Sequence, residues 1–176
     1  MKWAIKSNDP SVLEKLPDEM TMLLGNTSLG YGAGALGEVC ALALLLGLAY
    51  MLWKRIITWH IPVSIIATVL VFSGVLHLCS PSYENPIGVL LSGGLLLGAI
   101  FMATDYVTSP VTKWGQVIYG IGCGLFTVFI RYFGSYNEGV CYSIMVMNCC
   151  TALIDKYTKP VRFGVVKSDK KEAAAK

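Results

Sequence analysis

The sequence predicts an all-helical bundle embedded in a membrane, and its composition and the grouping of its apolar residues carry that prediction. Of the 176 residues, 55% are hydrophobic and 14% are charged, well below the roughly 25% charged residues of soluble domains. The mean hydropathy is +0.60. The apolar residues also form long runs whose middles contain no charged residue. A water-soluble domain of this length cannot hide so much apolar surface, because its helices need polar outer faces.

Five of these runs approach the length of about 17 to 25 residues that a helix needs to cross a bilayer. We predict spans at residues 35–53, 61–78, 86–104, 114–130 and 139–154. Trp53, Trp59 and Trp114 stand at span ends, where aromatic side chains favour the membrane interface. The spans define a membrane domain over residues 34–155.

The segments that flank this domain have a different composition. Residues 1–33 mix charges, prolines and apolar positions, end in a glycine-rich loop and lack the features of a signal peptide. Within them, Ser11 and Glu14 have the spacing of a capping box, which predicts a short helix at the membrane surface. Residues 156–176 are polar and basic, which predicts a solvated tail.

The distribution of basic residues predicts the orientation in the membrane. With five spans the two ends lie on opposite sides, and ten of the fourteen Lys and Arg residues fall on the side of the C-terminus. The positive-inside rule therefore places the C-terminus in the cytoplasm and the N-terminus outside the cell (inner) membrane. An exported N-terminus without a signal peptide predicts a further spanning region upstream of this chain. The net charge of +3 is small and gathered in the tail, which argues against nucleic acid as a partner.

Ionisable residues at the span ends are the first candidates for function. Asp105 and Asp155 close apolar runs on the inner side, where a carboxylate can pass a cation between water and the protein interior. Glu38, Glu84, Arg131 and Glu138 lie on the outer side. A charged collar at the membrane interface, with the acids paired to nearby Lys and Arg, is the alternative interpretation.

The glycines form a second pattern. Several stand before or at the start of the first span, including Gly34 and Gly37, and the free N–H groups of a helix N-terminus there suit an anion. Glycines also allow close helix packing, which we expect for the G-x-x-x-G pair Gly120 and Gly124.

Motifs of soluble enzymes and of metal sites are missing from the sequence. We find no G-x-S-x-G, H-E-x-x-H or Walker-type loop, so no catalytic residue is predicted. The six cysteines include no Cys-x-x-Cys pair, so no metal site is predicted within one chain. A site shared with a second subunit stays open.

Four stretches together resemble the C-terminal half of the RnfD/NqrB family. They are GALGEVCALALLLGLAYML (34–52), FMATDYVTSPVT (101–112), RYFGSYNEGVCYSIMVMN (131–148) and TALIDKYTKP (151–160). The resemblance covers residues 20–165, and the second and fourth stretches look more like RnfD than NqrB. Family members are membrane subunits of ion-translocating electron-transport complexes with roughly ten spans. The resemblance therefore implies that this chain is half of such a fold.

The resemblance also implies cofactors, ions and partners. It implies FMN, with riboflavin as a further flavin, and electron transfer coupled to Na⁺ or H⁺ movement alongside other subunits of the complex and membrane lipid. The family's Ser-Gly-Ala-Thr motif, which carries covalent FMN, is absent here. The family's Gly-Ser-Leu-Gly-Glu-Thr-Ser stretch also appears with Ala35, Val39 and Cys40 in place of its three hydroxyl residues.

Two sets of site residues follow from the resemblance together with the topology. The surroundings of the flavin are expected at Gly34, Gly37, Glu38, Arg131 and Glu138. The cation path is expected at Asp105, Asp155, Thr108 and Ser109. We expect the isolated chain to be inactive. The alternatives are a small five-span transporter or channel without a redox role, and a structural scaffold.

Overall fold

The structure, a computed structural model, describes residues 23, 40–79, 85–92, 94–134 and 139–158. Within these ranges the regular structure is helical and contains no strand, which confirms the predicted all-helical class for this part of the chain. The predicted surface helix near Ser11 and the glycine-rich loop lie outside the described residues, as does the tail beyond Thr158.

All five predicted spans contain helix. The helices are α1 (Ala41–Trp53), α2 (His60–Cys79), α3 (Pro86–Leu91), α4 (Leu95–Leu97) with a π-helical turn (Gly98–Met102), α5 (Lys113–Phe133) and α6 (Val140–Thr158). Among the described helices, α2 and α5 are both long and apolar enough to cross a membrane, whereas α1 is apolar but has only 13 residues. These two helices agree with a membrane protein, and the number of five spans stays a prediction.

The third predicted span is interrupted, which corrects the expectation of one continuous helix over 86–104. Helix α3 ends at Leu91, and Ser92 has an extended backbone with φ −110° and ψ 153°. Gly94 has φ +71°, a left-handed conformation that glycine adopts without steric cost. The chain then turns back into helix, with Gly98 N donating to Gly94 O at 2.9 Å. Hydropathy does not reveal the interruption, because the residues on both sides of it are apolar.

Helices α2 and α5 pack closely along a face of small residues. A Cβ added to Gly120 would meet Ser64 and lie 3.2 Å from the Ile61 carbonyl oxygen. One turn further on, a Cβ added to Gly124 would lie 2.8 Å from Thr68 Cβ. The predicted packing role of the G-x-x-x-G pair is confirmed, because only hydrogen at these positions lets the two backbones approach so closely.

The exposure pattern of α5 is the reverse of that of a surface helix in a soluble protein. Its buried face carries glycines and the polar side chains of Tyr119, Thr127 and Arg131. Its exposed face is apolar and comprises Ile118, Ile121, Leu125, Phe126, Phe129 and Phe133. A helix that turns polar groups inward and apolar groups outward is suited to a lipid environment, where interior polar groups hold helices together.

Candidate functional site

Three of the four predicted cation-path residues lie in one connection, which joins the π-helical turn to α5. Asp105 is exposed in this connection, and Thr108 Oγ1 donates to its Oδ2 at 3.1 Å. The backbone N–H of Ser109 donates to the Asp105 carbonyl oxygen at 3.2 Å. The structure therefore brings Asp105, Thr108 and Ser109 together in a single turn.

Asp155, the fourth residue, lies near the end of α6 and holds the same connection. Its Oδ1 accepts a hydrogen bond from Val111 N at 3.3 Å. Next to it, Thr112 Oγ1 donates to Thr158 Oγ1 at 2.7 Å and accepts from Gly115 N at 3.1 Å, so that Thr112 also caps α5. These bonds place Asp105 and Asp155 at the same end of the bundle, as the topology predicts.

Both carboxylates have neutral hydrogen-bond donors. The donor to Asp105 is a hydroxyl group and the donor to Asp155 is a backbone N–H group. Across the described ranges, neither carboxylate forms a salt bridge with Lys54, Arg55 or Lys113. Among the described residues, the acids are therefore not neutralised by these three bases, as the scaffold interpretation would require.

Sequence reasoning missed a pair of side chains that lies deeper in the bundle. The Tyr119 hydroxyl, on a residue that is 1% exposed, donates to Asn148 Oδ1 at 2.6 Å and joins α5 to α6. A signal for the pair exists in the sequence, because Asn148, Thr151, Asp155 and Thr158 recur at the spacing of one helix face.

Arg131 lies at the other end of α5 and contacts the interrupted span. The residue is 7% exposed. Its Nη1 donates to the Val89 carbonyl oxygen at 2.5 Å, and its Nη2 donates to the Ser92 carbonyl oxygen at 2.9 Å. Arg131 therefore binds the carbonyl end of α3. The other predicted flavin-surrounding residues lie outside the described residues, namely Gly34, Gly37, Glu38 and Glu138.

A second interhelical bond lies between these two ends. Thr127 Oγ1 and Ser143 Oγ are 2.7 Å apart, and both side chains are buried. The two hydroxyls also lie 2.7 Å from the carbonyl oxygens of Cys123 and Val140, respectively. This pair joins α5 and α6 with its hydrogen-bonding capacity met by the protein. In the portion of the chain that the structure covers, no group of three or more His, Cys, Asp and Glu side chains is arranged to hold a metal ion.

Comparison with known proteins places this architecture in a family. Residues 4–164 match the model of the NQR2, RnfD, RnfE family. The chain is 48% identical over 149 residues to a subunit of the Na(+)-translocating ferredoxin:NAD(+) oxidoreductase complex of Acetobacterium woodii. It is 46% identical over 137 residues to a subunit of the proton-translocating ferredoxin:NAD(+) oxidoreductase complex of Clostridium ljungdahlii. It is 40% identical over 149 residues to a subunit of the ion-translocating oxidoreductase complex of Stutzerimonas stutzeri.

These matches cover most of this chain but only part of each relative. They include 85%, 77% and 84% of the chain, and 45%, 41% and 42% of the respective relatives. The chain therefore spans less than half the length of the curated relatives it matches.

Proposed function

Because this chain belongs to the NQR2, RnfD, RnfE family, we propose that it is a membrane subunit of an Rnf-type ion-translocating electron-transport complex and carries part of the cation path. All three relatives are named as the corresponding subunit of an oxidoreductase complex that moves ions. Those names favour this function over a small transporter or channel without a redox role. The partners of the chain are then the other subunits of the complex and the surrounding lipid.

The proposed cation path is supported by the position of the two carboxylates and by the donors that they bind. Asp105 and Asp155 lie at the same end of the bundle, and each accepts a hydrogen bond from a neutral group. Among the described residues neither carboxylate is paired with a base, so each keeps its attraction for a mobile cation, and oxygen is the ligand that hard cations prefer. The hydroxyls of Thr108 and Ser109 stand in the same turn and supply further oxygen atoms.

The transported ion is Na⁺ or H⁺. One relative is named as translocating Na⁺ and another as translocating protons, at 48% and 46% identity to this chain. Overall similarity therefore does not separate the two ions. By the positive-inside rule, we place the Asp105 end and the C-terminus on the cytoplasmic side of the cell (inner) membrane and the N-terminus on the outer side.

FMN and riboflavin are proposed for the assembled complex, where a bound flavin supplies one-electron transfer. Of the predicted flavin surroundings, the structure describes Arg131, and both of its terminal nitrogens donate to backbone carbonyls. Arg131 therefore stays a proposed part of the flavin surroundings, and its hydrogen bonds to α3 fix where its guanidinium lies. We derive no electron-transfer step through this residue.

Neutralising the two carboxylates tests the proposed cation path. The complex assembled with this chain is placed in vesicles, and cation uptake driven by electron transfer is measured for Asp105→Asn and Asp155→Asn. We expect each variant to lose at least about tenfold in uptake, because removal of a charged ligand changes cation binding by more than about 1.4 kcal/mol.

Thr58→Val is the matched control for these variants. It removes an exposed hydrogen bond to Gln116 that involves neither carboxylate, and should leave uptake unchanged. Wild-type uptake in both Asp variants would overturn the assignment of the cation path.

A further inference from the structure

The Tyr119–Asn148 pair lies on the interior side of the two carboxylates. Asn148 and Asp155 are seven residues apart on α6, which places them on the same helix face and about 10 Å apart along the axis. Thr151 lies between them on that face. A cation that leaves Asp155 and moves into the bundle along this face meets Thr151 and then Asn148.

The chemistry of the pair suits a metal cation better than a proton. Tyr119 and Asn148 offer a phenol oxygen and an amide oxygen, joined by the 2.6 Å bond between α5 and α6. Neither a phenol nor an amide gains or loses a proton near neutral pH. Both oxygens have lone pairs, and in the membrane interior a cation without its water needs such ligands.

The second interhelical pair behaves differently. Thr127 and Ser143 lie farther from Asp155, and each hydroxyl also lies 2.7 Å from a backbone carbonyl oxygen of its own helix. Bonds of this kind hold membrane helices together. The Tyr119–Asn148 and Thr127–Ser143 bonds are therefore similar in length but differ in their distance from Asp155 along α6. The Thr127–Ser143 bond can serve as a control for the Tyr119–Asn148 bond.

We propose that the Tyr119 hydroxyl and the Asn148 side-chain oxygen form an inner binding site for a dehydrated Na⁺ ion that arrives from Asp105 and Asp155. The inference rests on the proposed function and extends it, because it names the next ligands of the transported cation. Tyr119 reorients its hydroxyl away from Asn148 when the ion binds, so that both oxygens face the ion.

The test compares substitutions at the two interhelical pairs. In the complex assembled with this chain, the rate of electron transfer is measured as a function of Na⁺ concentration at fixed pH. We expect Tyr119→Phe and Asn148→Leu to raise the half-saturating Na⁺ concentration about tenfold, as loss of one ligand does, with little change in the maximal rate. Asn148→Asp keeps an oxygen ligand and adds a negative charge, so it should not raise the half-saturating concentration. Thr127→Val should leave the half-saturating concentration unchanged.

The results that would overturn the inner Na⁺ site differ from those that would overturn the proposed function. An unchanged half-saturating concentration in Asn148→Leu, or an equal rise in Thr127→Val, would make the pair a packing feature only. A wild-type rate that does not respond to Na⁺ would also overturn the inner site, while leaving proton transport through Asp105 intact. If Asp105→Asn and Asp155→Asn retain full cation uptake, the proposed cation path itself fails.

Discussion

The Nη2 group of Arg131 donates to the carbonyl oxygen of Ser92 at 2.9 Å, so a buried guanidinium in α5 binds the residue at which the third span is interrupted. The last carbonyls of a helix have no partner within the helix. In the membrane interior such carbonyls are costly unless another group satisfies them. Arg131 supplies that group across 39 residues of sequence, and the interruption therefore depends on α5.

Removal of the guanidinium should weaken this arrangement. Arg131→Met keeps an unbranched apolar stem but leaves the carbonyls of Val89 and Ser92 without these donors. We expect a loss of about 2–4 kcal/mol in the free energy of unfolding, measured by thermal denaturation of the detergent-solubilised complex. Lys113→Met, an exposed change on the same helix, is the control and should have little effect. Equal stability of the two variants would contradict the role given to Arg131.

The left-handed conformation of Gly94 predicts a cost that comes from the backbone alone. With φ +71° and no heavy atom within 4 Å of an added Cβ, Gly94→Ala should destabilise the protein by about 1–2 kcal/mol. Gly94→Asn should lose less, because asparagine tolerates this conformation better than alanine. The two variants are compared by the midpoint of thermal unfolding. An alanine variant as stable as asparagine would argue against a left-handed residue here.

At Gly124, where α2 packs closely on α5, a larger side chain should destabilise the protein by steric crowding and not by backbone strain. Gly124→Val places side-chain atoms against Thr68 and the Ile65 carbonyl, and we expect a loss of about 1–3 kcal/mol from overpacking. Gly74→Ala is the control, since its Cβ would lie 4.0 Å from Pro86 Cγ, an ordinary contact. The free energy of unfolding of both variants is measured in the same detergent. A loss in Gly124→Val but not in Gly74→Ala would indicate tight packing at Gly124 and not a general effect of added methyl groups.

The sequence predicts the helices better than it predicts the contacts between them. Long apolar runs locate the helices, because apolar length is a local property. Apolar length does not predict the interruption at Gly94, because a glycine in an apolar run is equally compatible with close packing and with a left-handed turn.

Contacts between residues that are far apart in the sequence are the other feature that the sequence does not predict. Placing Asp105 and Asp155 at one end follows from the number of spans, but the bond from Val111 to Asp155 joins residues 44 positions apart. Asn148 shares a helix face with Asp155, which the residue spacing indicates. Its partner Tyr119 lies on another helix, and only the fold identifies it.

Cation transport by the complex with and without this chain tests the proposed function most directly. Vesicles containing the other subunits receive reduced ferredoxin and NAD⁺, and uptake of Na⁺ and of protons is recorded together with NADH formation. We expect ion uptake coupled to NADH formation to appear when the chain is present and to be lost when it is omitted. Equal coupled uptake without the chain, or ion transport by the isolated chain in the absence of an electron donor, would contradict the proposed function.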